Sequence, residues 1–334
     1  MIYLRSSILA TLTYYDVFDF PLTILETYKS LINPARLHKL NEGVGNVSLG
    51  YVAQELEGLA VSGLIDHENG FYFLPGRNSL YDRRIEKEKI TSAKWKKFLR
   101  LSEWFQAAPY IRGMFASGSL AINNASLESD FDVLTIVQSG RLYTCRLFLW
   151  LISSLLGARR KKFDTVAPDK FCLNHYITDD SLTITHESLY NAQTYANLKP
   201  VLIDKELIHS FYTSNIWINK FVHNFKVNDE FIRRTPRRNP FLQWVAGVIE
   251  FLLNSGLGDK IERMAKQYQQ KRIVDNPMTY ENGGRVTFND RELEFHPRSF
   301  EAIVIQRYNQ GLRRCGIVPY IEEKDSGLIP NEVA

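Results

Sequence analysis

Phe115-Ala116-Ser117-Gly118-Ser119-Leu120 and, a short spacer later, Glu128-Ser129-Asp130-Phe131-Asp132-Val133-Leu134 decide how this chain reads. An apolar run that ends in Gly-Ser predicts a strand turning where the backbone needs room. The small pair lets main-chain amides and the Ser119 hydroxyl come close to a triphosphate. Asp130 and Asp132 stand two residues apart in a second strand-like run. Strand periodicity therefore puts both carboxylates on one face, with Phe131 and Val133 directed into a core. Two acids held side by side bind Mg²⁺ through oxygen, and the ion can clamp phosphates and activate an attacking hydroxyl. A turn followed by a solvated strand edge is the plainer account of either half. Strand, Gly-Ser, an eleven-residue step from Ser119 to Asp130 and a strongly apolar continuation together favour a nucleoside triphosphate site.

This pattern resembles the DNA polymerase beta-like nucleotidyltransferase superfamily, whose core has a strand ending in Gly-Ser followed by a strand carrying Asp-x-Asp. The motif-level likeness covers roughly residues 90–180. Val17-Phe18-Asp19-Phe20-Pro21-Leu22 and Cys172-Leu173-Asn174 make the whole chain similar to bacterial nucleotidyltransferase-domain proteins with a winged-helix N-terminus. The resemblance implies Gly118 and Ser119 on the nucleotide phosphates, joined by the neighbouring Ser129, and Asp130 and Asp132 on the metals. It also implies a third carboxylate on a later strand. The matching stretch, Lys170 to Ile177, offers Asn174 there, and an amide can ligate a metal weakly but cannot act as a base. Asp164, ten residues earlier, is the alternative acid.

Outward from this core the chain divides into three. Residues 1–76 have helical spacing over Ser6–Tyr15 and Leu22–Ile32, with Pro21 at the first turn of the second helix and a loop over Asn33–Val47. A third helix, capped by Ser48, runs to Leu64, and a hairpin turns at Asn69-Gly70. That order is a winged helix-turn-helix. Between Tyr51 and Leu64 there are Glu55 and Glu57 but no Lys or Arg, so docking or protein contact is favoured over DNA binding. Residues 77–185 form the nucleotidyltransferase core. It opens on a basic helix (Arg83, Arg84, Lys94, Lys97 and others) read as a solvated face. Strands follow at Tyr110–Ser117, Phe131–Val137 and Phe171–Thr178, with a buried helix at Leu142–Leu156. Residues 186–334 are read as mostly helical, with a strand pair at Arg285–Phe295 and Trp217, Phe221 and Phe225 as a helix packing stripe. The fold class is thus α/β (α+β): a mixed-sheet nucleotidyltransferase core, an N-terminal winged helix and a helical C-terminal region.

Bulk properties narrow the class. Of 334 residues, 45% are hydrophobic and 23% charged, an ordinary globular balance that excludes disordered or fibrous chains. A net charge of +4 suits a phosphate-handling protein without specifying nucleic acid. The clusters Arg159-Arg160-Lys161-Lys162, Arg233-Arg234 and Arg237-Arg238 read as helix-end or loop charge rather than as a grip on polyphosphate or RNA. Cys145, Cys172 and Cys315 lack paired spacing, which argues against disulfides and zinc. No signal segment or membrane span is expected, so the protein reads as cytoplasmic. Phe241–Leu257 contains Gln243, Glu250 and Asn254 and reads as amphipathic and core-packed, with membrane attachment the lesser reading. His175 is expected to pack away from Asn174, and His296 to lack an acid or Cys partner.

The expected activity is Mg²⁺-dependent transfer of a nucleoside monophosphate from a nucleoside triphosphate to a hydroxyl on RNA, a protein or a small molecule. A catalytically inactive nucleotide-binding scaffold is the first alternative, and a winged-helix DNA-binding regulator the second.

Overall fold

In the first 76 residues the local signals place most elements. A computed structural model describes residues 2–40, 45–160, 164, 166–227, 234–281, 284–297 and 299–326. A helix spans Ile2–Asp16, and β1 is Leu22–Thr23. Helices follow at Ile24–Lys29, Pro34–Leu37 and Leu49–Val61, then the strands β2, Asp66–Glu68, and β3, Phe71–Phe73. Thr23 caps the second helix in a reciprocal capping box with Glu26. The expected start at Leu22 therefore moves to Ile24, and Leu22 pairs with Tyr72 across β3. The stretch expected to be a loop after Asn33 contains one helical turn, which Asn33 caps and Pro34 opens. At the hairpin tip Asn69 and Gly70 both have positive φ, 48° and 83°, as a two-residue turn of this hand requires.

A six-stranded mixed sheet forms the centre. Its strands are β4 (Ile111–Ala116), β5 (Phe131–Val137), β6 (Phe171–Thr178), β7 (Lys199–Pro200), β8 (Arg285–Phe288) and β9 (Glu292–His296). The order is β7-β4-β5-β6-β9-β8, with β5 and β6 parallel and every other neighbour antiparallel. The strand pair expected as a satellite of the C-terminal region thus completes the central sheet. Along β5 side chains alternate: Leu134 and Ile136 enter one core, Phe131, Val133 and Val137 the other. The first core also holds the N-terminal helices, the helix Leu189–Ala196 and the helix Glu301–Arg314. The second lies against the helices Leu80–Ser102, Leu142–Leu155 and Gly256–Val274.

The N-terminal unit is therefore stitched to later chain rather than hung from it. Ile32 bridges Val222, the Tyr15 hydroxyl donates to Gln193 at 3.0 Å, and Tyr14 meets Tyr308 edge-on. This bridge also explains one difference from expectation. Trp217, Phe221 and Phe225 are buried, but only Ile216–Lys220 is helical, and as a 3₁₀ turn. Asn215 ends the preceding helix by bonding Ile184 N, Leu182 O and the Trp217 indole, and the backbone beyond serves the Leu31–Asn33 segment instead.

Three further expectations change. Arg84 and Lys94 on the basic helix are buried, not solvated. Arg84 pairs with Glu26 and Glu88 and donates to Pro21 O, which ties this helix to the N-terminal unit. The helix Leu142–Leu155 is buried on one face only; Leu147, Leu151 and Leu155 lie exposed at spacings of four. The helix Pro240–Leu253 buries Leu242, Ala246 and Leu253, while Gln243 donates to Gln106, Glu250 pairs with Arg112, and Asn254 just beyond accepts from the Tyr110 hydroxyl. Phe241, Trp244, Phe251 and Leu252 are left exposed, Phe251 at 81%. Hydrophobic pattern alone cannot reveal which face of such a helix has partners. Among the described residues no single helix is long and apolar enough to cross a membrane.

Candidate active site

The turn after β4 is shaped by a carboxylate. Gly118 has φ +61°, and a Cβ built on it would lie 2.3 Å from Asp132 Oδ2. Only glycine leaves the space that Asp132 fills, and only glycine holds this backbone without strain. Ser117 N donates to Asp132 O at 2.9 Å, which locks the turn to β5. Ser119 is the second residue of a four-residue helix, Gly118–Ala121, and its hydroxyl bonds Ser129 Oγ at 3.3 Å. Ser129 Oγ in turn accepts from Ser126 N at 2.9 Å. Gly118, Ser119 and Ser129 are thus brought together beside the acid pair. Lys94 fixes this loop from behind, donating to Leu127 O at 3.0 Å, Ser129 O at 2.8 Å and Asp169 at 2.7 Å. Asn124 donates to Phe18 O at 3.1 Å and so links the loop to the N-terminal unit.

Asp130 and Asp132 share one face, as period-two alternation requires. The third member of their group is Cys172, and the ligand-capable atoms of all three lie within 4.8 Å of one another. Cys172 pairs directly with Asp132 across the parallel β5–β6 ladder. The next matched pair is Leu134 with His175, so β6 carries an extra residue between them. That bulge removes Asn174 from the expected third position. Its amide donates to Phe295 O at 3.0 Å, toward β9. The Asp164 backbone carbonyl accepts from Arg160 at 3.4 Å.

Arg160 stands against the cluster. It ion-pairs with Asp130 and lies 3.7 Å from Cys172 Sγ. Backbone bonds of Ala158 and Arg160 to Phe171 lay this segment along β6 and aim the guanidinium. Lys161 and Lys162 lie outside the described residues. Burial and the Asp130 charge push the Asp132 carboxyl up to about 7, against a lowering pull from Arg160. Burial, with Asp132 and Asp130 behind it, pushes the Cys172 thiol well above its ordinary value. Cys172 is therefore a neutral thiol here, neither base nor anionic ligand.

The two carboxylates fit a hard dication such as Mg²⁺, whereas the soft thiol does not, so the fit rests on Asp130 and Asp132. Sequence reading missed Cys172, Lys94 and Arg160. Cys172 lies in the very stretch compared for a third acid, but strand period two could not foresee the bulge. A Lys inside an amphipathic basic helix gives no local sign of burial.

Farther along β6, His175 packs as expected, while His296 proves to have an acid partner. Its Nδ1 lies 3.0 Å from Glu294 Oε1, two residues back on β9. Burial would raise the Glu294 carboxyl, but His175, Arg285 and His296 outweigh it and hold it well below the usual carboxylate range. In comparisons with known proteins, no family model matches this chain, and neither a curated protein nor a solved structure is significantly similar to it.

Proposed function

We propose that this chain is a nucleotidyltransferase that passes a nucleoside monophosphate from a nucleoside triphosphate to a hydroxyl acceptor, with Asp130 and Asp132 holding Mg²⁺. The observation that carries the reading is the nesting of Asp132 against Gly118, which couples the Gly-Ser turn to a carboxylate pair. The order of elements in residues 1–76 and the mixed sheet behind the Gly-Ser turn agree with a polymerase beta-like core preceded by a winged helix. Bound Mg²⁺ would supply charge neutralisation for the triphosphate. The Ser119 and Ser129 hydroxyls and the turn amides orient phosphate oxygens, and Lys94 keeps that loop in place. In the transfer the acceptor oxygen bonds to the α-phosphorus, the α–β bond breaks and pyrophosphate leaves. The acceptor's proton leaves to water, since both carboxylates are engaged by the ion and Cys172 keeps its own proton.

The test is pyrophosphate release by the purified chain with Mg²⁺, each of the four common triphosphates, and RNA, protein and small-molecule acceptor pools. Turnover is expected, with a loss of about 1000-fold or more in Asp132→Asn. Absence of pyrophosphate from every combination overturns the reading.

A neutral thiol in place of the third carboxylate favours one second reading, a module that binds a triphosphate without turning it over. Calorimetric binding of a triphosphate with no pyrophosphate release would select it. A winged-helix regulator gains no comparable support, since the exposed face of the helix Leu49–Val61 carries Tyr51, Glu57 and Val61 and no cation.

A further inference from the structure

On the same face of the sheet, beyond the bulge, lie four ligand-type atoms without a hydrogen-bond partner, three from one mutually close group and the fourth, on His186, at its edge. They are His175 Nε2 on β6, Glu292 Oε1 and Glu294 Oε2 on β9, and His186 Nε2 in the segment before the helix Leu189–Ala196; none has a hydrogen-bond partner. His175 pairs across the ladder with Glu294, and Glu292 follows two residues away on the same face. His175 Nε2 lies 3.6 Å from Glu292 Oε1, His186 Nε2 lies 4.0 Å from Glu294 Oε2, and ligand atoms of His175, Glu292 and Glu294 all fall within 4.8 Å of one another. The side chains of His175 and Glu294 are 7% and 0% exposed. Four buried polar atoms left unpaired in one place are costly unless something satisfies them together.

We propose that His175, His186, Glu292 and Glu294 form a binding site for a first-row transition-metal dication of the zinc class, separate from the Asp130/Asp132 cluster. Two imidazole nitrogens and two carboxylate oxygens are a donor set for zinc or cobalt rather than for Mg²⁺. Ligand atoms about 2.0–2.2 Å from a tetrahedral ion stand roughly 3.3–3.6 Å apart, the scale already present between His175 and Glu292. The surroundings are those of an oriented ligand. Glu294 Oε1 accepts from Arg285 at 2.7 Å and lies 3.0 Å from His296 Nδ1, which leaves Oε2 for the ion. Arg285 also faces Glu301, which Ser326 holds through its amide and hydroxyl at 2.9 Å. Glu294 and Glu301 thus share one guanidinium, which fixes the position of Glu294. The ion would tie β6, the β9 hairpin and the His186 segment together. That segment leads into Tyr190, whose phenol lies in the fields of both Asp132 and Glu294.

The full chain, stripped with chelator, is titrated with Zn²⁺ and, separately, with Co²⁺. One equivalent of either is expected to bind, and Co²⁺ is expected to give tetrahedral ligand-field absorption without a thiolate charge-transfer band. His186→Gln and Glu292→Gln are expected to weaken Zn²⁺ binding by about 100-fold or more, while Asp132→Asn and Cys172→Ser leave it within a few fold. Three results overturn the proposal: less than stoichiometric binding, a thiolate band, or loss of Zn²⁺ in the Asp132 or Cys172 variant with retention in the His186 variant. The Co²⁺ spectrum of the unaltered chain decides the matter even where a variant fails to fold. Unpaired atoms with no metal uptake would mean that imidazolium–carboxylate pairing balances the cluster. None of these readouts depends on nucleotidyl transfer.

Discussion

Strand β6 carries two ionisable clusters on one face, and their carboxylates are displaced in opposite directions. At one end Asp132 is pushed up to about 7, because burial and Asp130 oppose its ionisation more than Arg160 favours it. At the other end Glu294 is held low by His175, Arg285 and His296. The first cluster holds like charges together and gains from an incoming cation. The second sets Arg285 and neighbouring imidazoles against Glu294 and keeps that carboxylate ionised before any cation arrives. Like charge holds the first carboxylate back from ionisation, whereas fixed cationic partners hold the second ionised.

The largest effect expected from breaking this contrast is at Glu294. Glu294→Gln removes the closer of the two carboxylates on the Arg285 guanidinium, which is 7% exposed, and leaves only Glu301; it should cost about 3 kcal/mol in urea unfolding. Asp130→Asn, which frees only a half-exposed Arg160, should cost less than about 1 kcal/mol by the same measurement. Equal costs would erase the distinction between the two clusters.

A pH series sharpens it next. The folded-state value for Asp132 is raised, so folding favours its protonated form. In metal-free protein that contribution is complete at acid pH and is lost as pH rises through about 7. Unfolding free energy should fall by about 2 kcal/mol between pH 5 and 8, a figure discounted for partial exposure of the carboxyl. Asp132→Asn should remove that slope, and an unchanged slope would place its origin elsewhere.

Gly118→Ala should follow, at about 1–2 kcal/mol for a left-handed alanine. Displacement of Asp132 should make its loss of pyrophosphate release far larger than its loss of stability. The smallest effect is expected at Asn174. Removing its bond to Phe295 O in Asn174→Ala should cost about 1 kcal/mol and leave turnover within a few fold. A collapse of turnover would mean that Asn174 does enter the site.

The acid pair shows how far sequence reading reaches. Asp130 and Asp132 share a face because side chains alternate along any strand, and Gly118 follows the strand end because the turn needs its backbone freedom. Asn174 shows where it stops. Counting from Cys172 by twos gives its face only in a regular ladder, and the β5–β6 register shift is a property of the pair of strands. The helix Pro240–Leu253 repeats the lesson, since its apolar residues were evident but not that Leu242 and Ala246 would be buried while Phe241, Trp244 and Phe251 stay exposed.

By itself, then, the sequence determined what lies within a few residues along the chain: the Gly-Ser turn, the paired carboxylates, the capping box at Thr23 and the hairpin at Asn69-Gly70. Those follow from backbone sterics and from periods of two and 3.6, which act locally. Tertiary structure alone decided that Cys172 joins the acids, that Lys94 is buried under the Ser129 loop, and that β9 brings Glu292 and Glu294 to His175. Each of these is a meeting of residues distant in sequence, set by strand order and register, and no local preference of either partner encodes it.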